Sequence, residues 1–175
     1  MIFQLARLPS PIGEMLLVSD GQAVRALDFH DYEARMLQLL RLQYGPCTLT
    51  PATAPAEVAE AFEAYFEGDL TALDRIPVQT GGTAFQRLVW AALRGIPAGT
   101  TTSYGRLAAQ IGNPTASRAV GLANGANPVS IIVPCHRVIG ANASLTGYGG
   151  GLERKAWLIA HERRVAVPVQ QELLA

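Results

Sequence analysis

Three short apolar runs open the chain, at 2–8, 14–19 and 23–29, and read as β-strands. Pro11-Ile12-Gly13 and Asp20-Gly21 supply the turns between them, the latter a hairpin signal. The period then changes. Met36, Leu37, Leu39 and Leu40 form one apolar face over 31–43, which predicts a helix. Val58, Ala61, Phe62, Tyr65 and Phe66 do the same over 55–67, with Glu57, Glu60 and Glu63 turned to water and Gly68 as the stop. Residues 68–82 form a connector that closes with Gly81-Gly82.

Thr83 is an N-cap for a helix carrying Phe85, Leu88, Val89, Ala92 and Leu93, and Gly95-Ile96-Pro97 stops it. Ser103 starts a second helix through Gln110, with Gly112 as its C-cap and Asn113-Pro114 as the turn. A third runs from about Thr115 to Asn124, and the pair looks like a helix-turn-helix. Val129-Ser130-Ile131-Ile132-Val133 reads as a buried strand, ended by Pro134. The loop Gly147-Tyr148-Gly149-Gly150-Gly151 precedes a last helix over about 152–164. The pattern predicts an α/β N-terminal domain, 1–77, and a mostly helical C-terminal domain, 78–175.

With 49% hydrophobic and 16% charged residues, the chain can bury a core. Its start, Met1 to Arg7, lacks the basic and apolar segments of a signal peptide, and no apolar run is long enough to span a bilayer. The expectation is a cytoplasmic protein with no membrane partner. Two cysteines, Cys47 and Cys135, and three scattered histidines, His30, His136 and His161, predict reduced thiols and no metal site.

The net charge is zero, but it is unevenly spread. Residues 1–74 hold eleven acids and four bases. Residues 75–152 hold six arginines (Arg75, Arg87, Arg94, Arg106, Arg118, Arg137), no lysine and no acid. Such a stretch either faces a polyanion or is simply buried and acid-poor.

A thiolate, not a thiol, is the nucleophile, so a working cysteine needs a positive or proton-accepting neighbour. Cys135 is followed by His136 and Arg137, and it sits just past the predicted strand. Cys47 lies in the plain loop Tyr44-Gly45-Pro46-Cys47-Thr48. Cys135 is therefore the candidate nucleophile. The third helix, Ala116 to Gly125, carries small residues over much of its surface, which permits close approach to a narrow groove. Arg118 could reach from it into a base stack. The same helix reads equally well as a packed core element with Arg118 a surface charge.

Pro134-Cys135-His136-Arg137-Val138 resembles the active-site signature of the O6-alkylguanine-DNA alkyltransferases, also called methylated-DNA–protein-cysteine methyltransferases. The resemblance covers Phe85-Gln86 to His161-Glu162. It includes Ser103-Tyr104-Gly105, Gly112-Asn113-Pro114, Ser117-Arg118-Ala119-Val120-Gly121, Asn127-Pro128 and Gly147-Tyr148-Gly149-Gly150. It implies a ribonuclease-H-like α/β domain followed by a mostly helical, winged helix-turn-helix-like domain. It also implies repair of O6-alkylguanine by direct, irreversible, single-turnover transfer of the alkyl group to Cys135 after base flipping, with O4-alkylthymine an open second substrate. His136 would take the Cys135 proton through a water, and Glu162 would orient its imidazole. Asn127 would brace the cysteine loop. Tyr104 would crowd the phosphate beside the lesion and protonate the departing guanine oxygen. Arg118 would fill the hole left by the flipped base. Thr115, Ser117, Ala119, Gly121 and Asn124 would contact DNA beside Arg118 and Tyr104, and Val138, Tyr148, Gly149 and Gly150 would wall the alkyl pocket. The implied partner is double-stranded DNA bound through its minor groove by a monomer, without cofactor or metal.

Some family members have serine where Gly149 stands, and glycine there is expected to leave the pocket roomier. Others hold a structural zinc in the N-terminal domain, for which this sequence lacks ligands. Three alternatives remain: a lesion-binding protein without transferase activity, which would lack the cysteine; a cysteine hydrolase, which would need an oxyanion hole and turnover; and a winged-helix regulator, which would read sequence as a dimer. Glu162→Gln is expected to keep the fold and slow transfer.

Overall fold

The computed structural model describes residues 1–140, 142 and 146–166. β1 (Ile2–Leu8), β2 (Met15–Ser19) and β3 (Val24–Phe29) form where the apolar runs predict them, and each pairs antiparallel with the next. α1 (Glu33–Tyr44) follows a 3-10 turn at His30–Tyr32. A fourth strand, β4 (Thr48–Pro51), runs parallel to β1 and gives the sheet the order β3-β2-β1-β4. Its four residues are too few and too exposed to show a period in the sequence.

β2 is buried along its whole length because both faces of the sheet are covered. Leu16 and Val18 pack with Phe3, Ala26, Met36 and Leu40 beneath α1. Met15 and Leu17 point the other way, into a larger core with Leu27, Phe29 and residues of α2 (Ala56–Glu67). Gly68 ends α2 at φ +119°, a conformation that favours glycine. On α1 the apolar stripe is narrower than predicted. Met36 and Leu40 are buried one turn apart, whereas Leu37, about 100° around the helix, is exposed.

α3 (Ala84–Arg94) opens on a reciprocal cap: Thr83 Oγ1 accepts from Gln86 N at 3.1 Å, and Gln86 Oε1 accepts from Thr83 N at 3.0 Å. Leu88, predicted on its apolar face, is exposed. Ser103 caps α4 (Tyr104–Gln110) by accepting from Arg106 N at 3.1 Å. The C-cap is Ile111; Gly112, expected there, is the next residue, at φ +84°. α5 (Ser117–Gly125) starts two residues later than expected, since Asn113 to Ala116 are taken up by a turn closed by Ala116 N to Asn113 O at 3.0 Å. Trp90 of α3 donates its indole N–H to Ala123 O of α5 at 2.8 Å, which ties these helices together.

The predicted strand at 129–133 is instead a run of tight turns, although it is buried as expected. Leu27 of the edge strand β3 accepts the loop from both sides: Leu27 N donates to Pro128 O at 2.9 Å, and Ser130 N donates to Leu27 O at 3.0 Å. One residue, Val129, pairs this way before Val133 N turns back to Val129 O at 3.1 Å. Ile131 adopts φ +70°, which costs a β-branched residue on the order of 1–3 kcal/mol. The loop thereby covers part of an edge strand that would otherwise stand open. Four residues further on, β6 (Val138–Ile139) pairs parallel with β5 (Thr102–Ser103), and α6 (Leu152–Ala166) closes the described chain. The larger core runs without a break from β1, β2, β3 and α2 into α3, α4, α5 and α6. Among the described residues, no helix is long and apolar enough to cross a membrane.

Candidate active site

Cys135 sits in a single 3-10 turn, Cys135–Arg137, entered through Pro134. Two asparagines hold that turn. Asn127 is fully buried; it donates to Val133 O at 2.8 Å and accepts from Val129 N at 3.0 Å, bridging the two ends of the loop. Asn124 donates to Cys135 O at 3.4 Å. Expected among the DNA contacts, Asn124 is instead buried, because its place on α5 turns it inward beside Val120 and Ala123.

Behind the cysteine lies a buried ionic cluster. Glu162 Oε2 is 2.8 Å from His136 Nε2, 2.9 Å from Arg137 Nη2 and 2.7 Å from Tyr65 Oη, and Glu162 Oε1 accepts from Arg137 Nε at 2.8 Å. Although burial opposes the charge, hydrogen bonds and charge from His136 and Arg137 win, so the Glu162 carboxyl lies well below the usual range. An ionised Glu162 can only accept, so His136 Nε2 carries the proton. His136 Nδ1 is then the free base, and it has no hydrogen-bond partner among the described residues. Burial pulls His136 below its ordinary value, with Glu162 acting the other way.

Burial likewise pushes the Cys135 thiol up; the Asn127 side chain and the charges of Arg35 and Lys155 work against it. Both directions favour the uncharged forms, a thiol and a neutral imidazole, so a thiolate has to be made by moving the Cys135 proton. Arg137, the positive neighbour expected from the sequence, is committed elsewhere. Its Nη1 donates to Ile96 O at 2.7 Å and the rest of its guanidinium is held by Glu162, because successive residues of a 3-10 turn point apart. The positive charges come from distant positions. Lys155, the chain's single lysine, is fully buried and donates to Val138 O and Thr146 O, both at 2.7 Å. Arg35 of α1 pairs with buried Asp28 at 2.7 Å and donates to Gly125 O at 2.7 Å and Asn127 O at 3.2 Å. Nothing in local sequence marks Arg35, Asp28, Lys155 or Tyr65, although a lone lysine in an apolar helix face was a usable signal.

A cleft of about 510 Å³ opens between Tyr104, Gly121 and Asn124 on one side and Thr146, Tyr148 and Gly149 on the other. Tyr104 Oη is 2.9 Å from Thr146 Oγ1 across it. Val138 and Gly150, predicted as pocket wall, lie behind the cleft: Val138 is fully buried in β6, and Gly150 packs against Phe29 and Tyr148. The extra room expected at Gly149 is taken by the Arg35 guanidinium. Ser117, Arg118 and Ala119 lie exposed on α5, Gly121 faces the Tyr104 ring, and Thr115 lies on the exposed turn before the helix. Of the six arginines of the acid-free stretch, Arg137 is buried and Arg94 caps the carbonyls of Leu73, Asp74 and Ile76, whereas Arg75, Arg87, Arg106 and Arg118 remain exposed.

A buried cysteine, followed by an imidazole–carboxylate pair and tied through Asn124 to a cleft beside a helix-turn-helix, is an arrangement suited to nucleophilic chemistry. The chain matches the model of the 6-O-methylguanine DNA methyltransferase ribonuclease-like domain over residues 5–80 and of the DNA-binding domain over 84–164. It is 50% identical over 159 residues to the methylated-DNA–protein-cysteine methyltransferase of Salmonella typhimurium, covering 89% of this chain and 93% of that one. To the protein of that name from Mycolicibacterium paratuberculosis it is 61% identical over 131 residues, covering 73% and 79%. The crystal structure of Mycobacterium tuberculosis OGT in complex with DNA superposes with a TM-score of 0.81 at 43% identity, covering 93% of this chain and 94% of that one. The chain belongs to the 6-O-methylguanine DNA methyltransferase family, and its enzyme class is that of the methylated-DNA–protein-cysteine methyltransferases.

Proposed function

We propose that the protein repairs O6-alkylguanine in double-stranded DNA by moving the alkyl group onto Cys135. The observation that carries this reading is His136, its Nε2 committed to Glu162 at 2.8 Å and its Nδ1 left as a free base in the turn that holds Cys135. The Cys135 proton passes to that Nδ1 through a water, and the imidazolium is stabilised by Glu162. The sulfur attacks the alkyl carbon in line; an S–C bond forms and the C–O bond breaks, with its electron pair leaving on guanine O6. Tyr104, at the mouth of the cleft, supplies the proton that oxygen takes up. The product is a thioether, which does not hydrolyse, so each molecule acts once.

The reacting carbon is inaccessible inside a duplex, so the base has to be flipped into the cleft. The exposed small-residue surface of α5 suits close approach in the minor groove, with Thr115, Ser117, Ala119 and Gly121 near the backbone and Arg118 in the vacated stack. Residues 78–175 supply these contacts and the acceptor, residues 1–77 brace them, and the protein acts as a monomer in the cytoplasm. The test is intact-protein mass spectrometry after incubation with an O6-methylguanine oligonucleotide. One added methyl per chain, mapped to Cys135 with Cys47 unmodified, is expected; an adduct on Cys47, or none with fresh protein, rejects the reading. An O4-methylthymine oligonucleotide in the same assay decides the second substrate.

A further inference from the structure

Four hydrogen bonds reach the Glu162 carboxylate, and one of them comes from the N-terminal half of the chain. His136 and Arg137 are adjacent to the nucleophile in sequence. Tyr65 belongs to α2, 97 positions away from Glu162, and its phenol donates at 2.7 Å to Oε2, the same oxygen that faces His136. Both side chains are buried. The ring is fixed edge-on against Phe66 and His161, with centroids 5.1 and 5.3 Å away, and the Tyr65 carbonyl lies 2.9 Å from His161 Nε2. The phenol is therefore aimed, not merely packed.

We propose that Tyr65 is a positioning residue of the transfer reaction: its phenol shares the carboxylate oxygen that supports His136 and so limits how strongly that imidazole draws the Cys135 proton. The inference rests on the His136–Glu162 relay described above. A carboxylate oxygen has a finite amount of charge to offer, and three donors on Oε2 divide it. Arg137 cannot vary its share, because all three of its bonding nitrogens are already placed, on Oε1, Oε2 and Ile96 O. The titratable and charged groups around the relay are Tyr65 from α2, His136 and Arg137 from the cysteine turn, Lys155 from α6, whose charge also acts on His136, His161 of α6, whose ring lies 5.3 Å from that of Tyr65, and Tyr148, which acts on the Tyr65 phenol. Of these, only Tyr65 donates to Glu162 from the N-terminal half. Burial and Glu162 together hold its phenol far above the ordinary value, so it stays a donor at every working pH. Removing that bond concentrates charge on the oxygen facing His136 and strengthens the imidazole as a base. More of Cys135 is then thiolate at neutral pH, and the resting protein loses part of its protection against stray electrophiles.

The test is the pH dependence of Cys135 alkylation by iodoacetamide, read by peptide mass spectrometry with Cys47 as internal standard. Tyr65→Phe removes one oxygen and keeps the ring. It is expected to raise the rate at pH 7 relative to that at pH 9 by about threefold, equivalent to a midpoint lowered by roughly half a pH unit. Site-specific 3-fluorotyrosine at position 65, a stronger donor of nearly the same shape, is expected to move the midpoint the other way, so a poorly folding phenylalanine variant does not leave the question open. An unchanged profile, or the same loss of rate at every pH, overturns the proposal. His136→Asn separates the two readings. If it leaves the wild-type profile intact, the relay itself is wrong; if it changes the profile while Tyr65→Phe does not, only the role of Tyr65 fails.

Discussion

The guanidinium of Arg35 stands where a side chain at position 149 would begin: a Cβ added to Gly149 would lie 2.5 Å from Arg35 Cζ. The same guanidinium neutralises Asp28, which is 1% exposed, and holds the carbonyls of Gly125 and Asn127. An α1 side chain thus packs against the cleft-lining Gly149 and forms part of the clamp on the cysteine loop. Arg35→Leu leaves Asp28 buried without its partner and is expected to cost about 3–5 kcal/mol at neutral pH. Burial already holds the Asp28 carboxyl above the usual range, with Arg35 opposing; without Arg35 it rises further, and the native state takes up a proton in mild acid. The gap to wild type therefore narrows as pH falls. Denaturant melts at neutral and mildly acidic pH check this, and an equal gap at both would mean that the ion pair is not the source.

Glu162→Gln now carries a different expectation from the one the sequence supports. Its loss strands the buried Arg137 guanidinium, so stability should drop by roughly 3–5 kcal/mol at pH 7 in addition to slower transfer. The Glu162 carboxyl is depressed in the fold, so its contribution is complete above the unfolded value of about 4.3 and is lost as pH falls below it. Melting curves of the two proteins should converge in acid. A constant difference between neutral and acidic pH would remove the ionised carboxylate from the account.

Arg118→Ala separates extrusion from chemistry. Holding out a flipped base costs a few kcal/mol, and each 1.4 kcal/mol lost from the extruded state is about tenfold in rate. The variant should repair O6-methylguanine in duplex DNA more than tenfold slower, on that scale, yet react normally with the free base O6-benzylguanine. A lesion opposite an abasic site should fall between. Second-order inactivation rates on the three substrates give the answer; equal losses on duplex and free base would assign Arg118 to the pocket or the fold.

Binding to undamaged duplex should weaken only gently with salt. Each neutralised phosphate contributes a log–log slope of roughly −0.9, so the four exposed arginines of the acid-free stretch bound the slope at roughly −3.6. A fluorescence titration across a salt series measures it. A slope of zero would remove backbone contacts from this surface, and a much steeper one would require cations outside 75–152.

Much of this was legible along the chain. Strands β1 to β3, all six α-helices to within about two residues, and the Thr83 and Ser103 caps follow from local period and capping chemistry, which act over a few residues. Cys135 and His136 stand out by the company they keep within a few positions, whereas Asn127 enters only through the family resemblance. β4, β5 and β6 were not legible, since two to four residues show no period, and their pairing is made by partners far away. The strand expected at 129–133 failed for a related reason: an apolar run specifies burial, but docking on the edge of β3 decided that it would be coiled into turns.

By itself, the sequence determined which family the chain resembles, which helices form and where apolar surface has to go, because these depend on residue type and spacing. Only the tertiary structure decided the electrostatics around Cys135. It turned Arg137 away, brought Arg35 and Lys155 in, set Asn124 inward, and placed the Tyr65 phenol on the carboxylate that supports His136. Charge and hydrogen bonding act through space and in proportion to burial, and neither distance nor burial can be read from positions 97 residues apart.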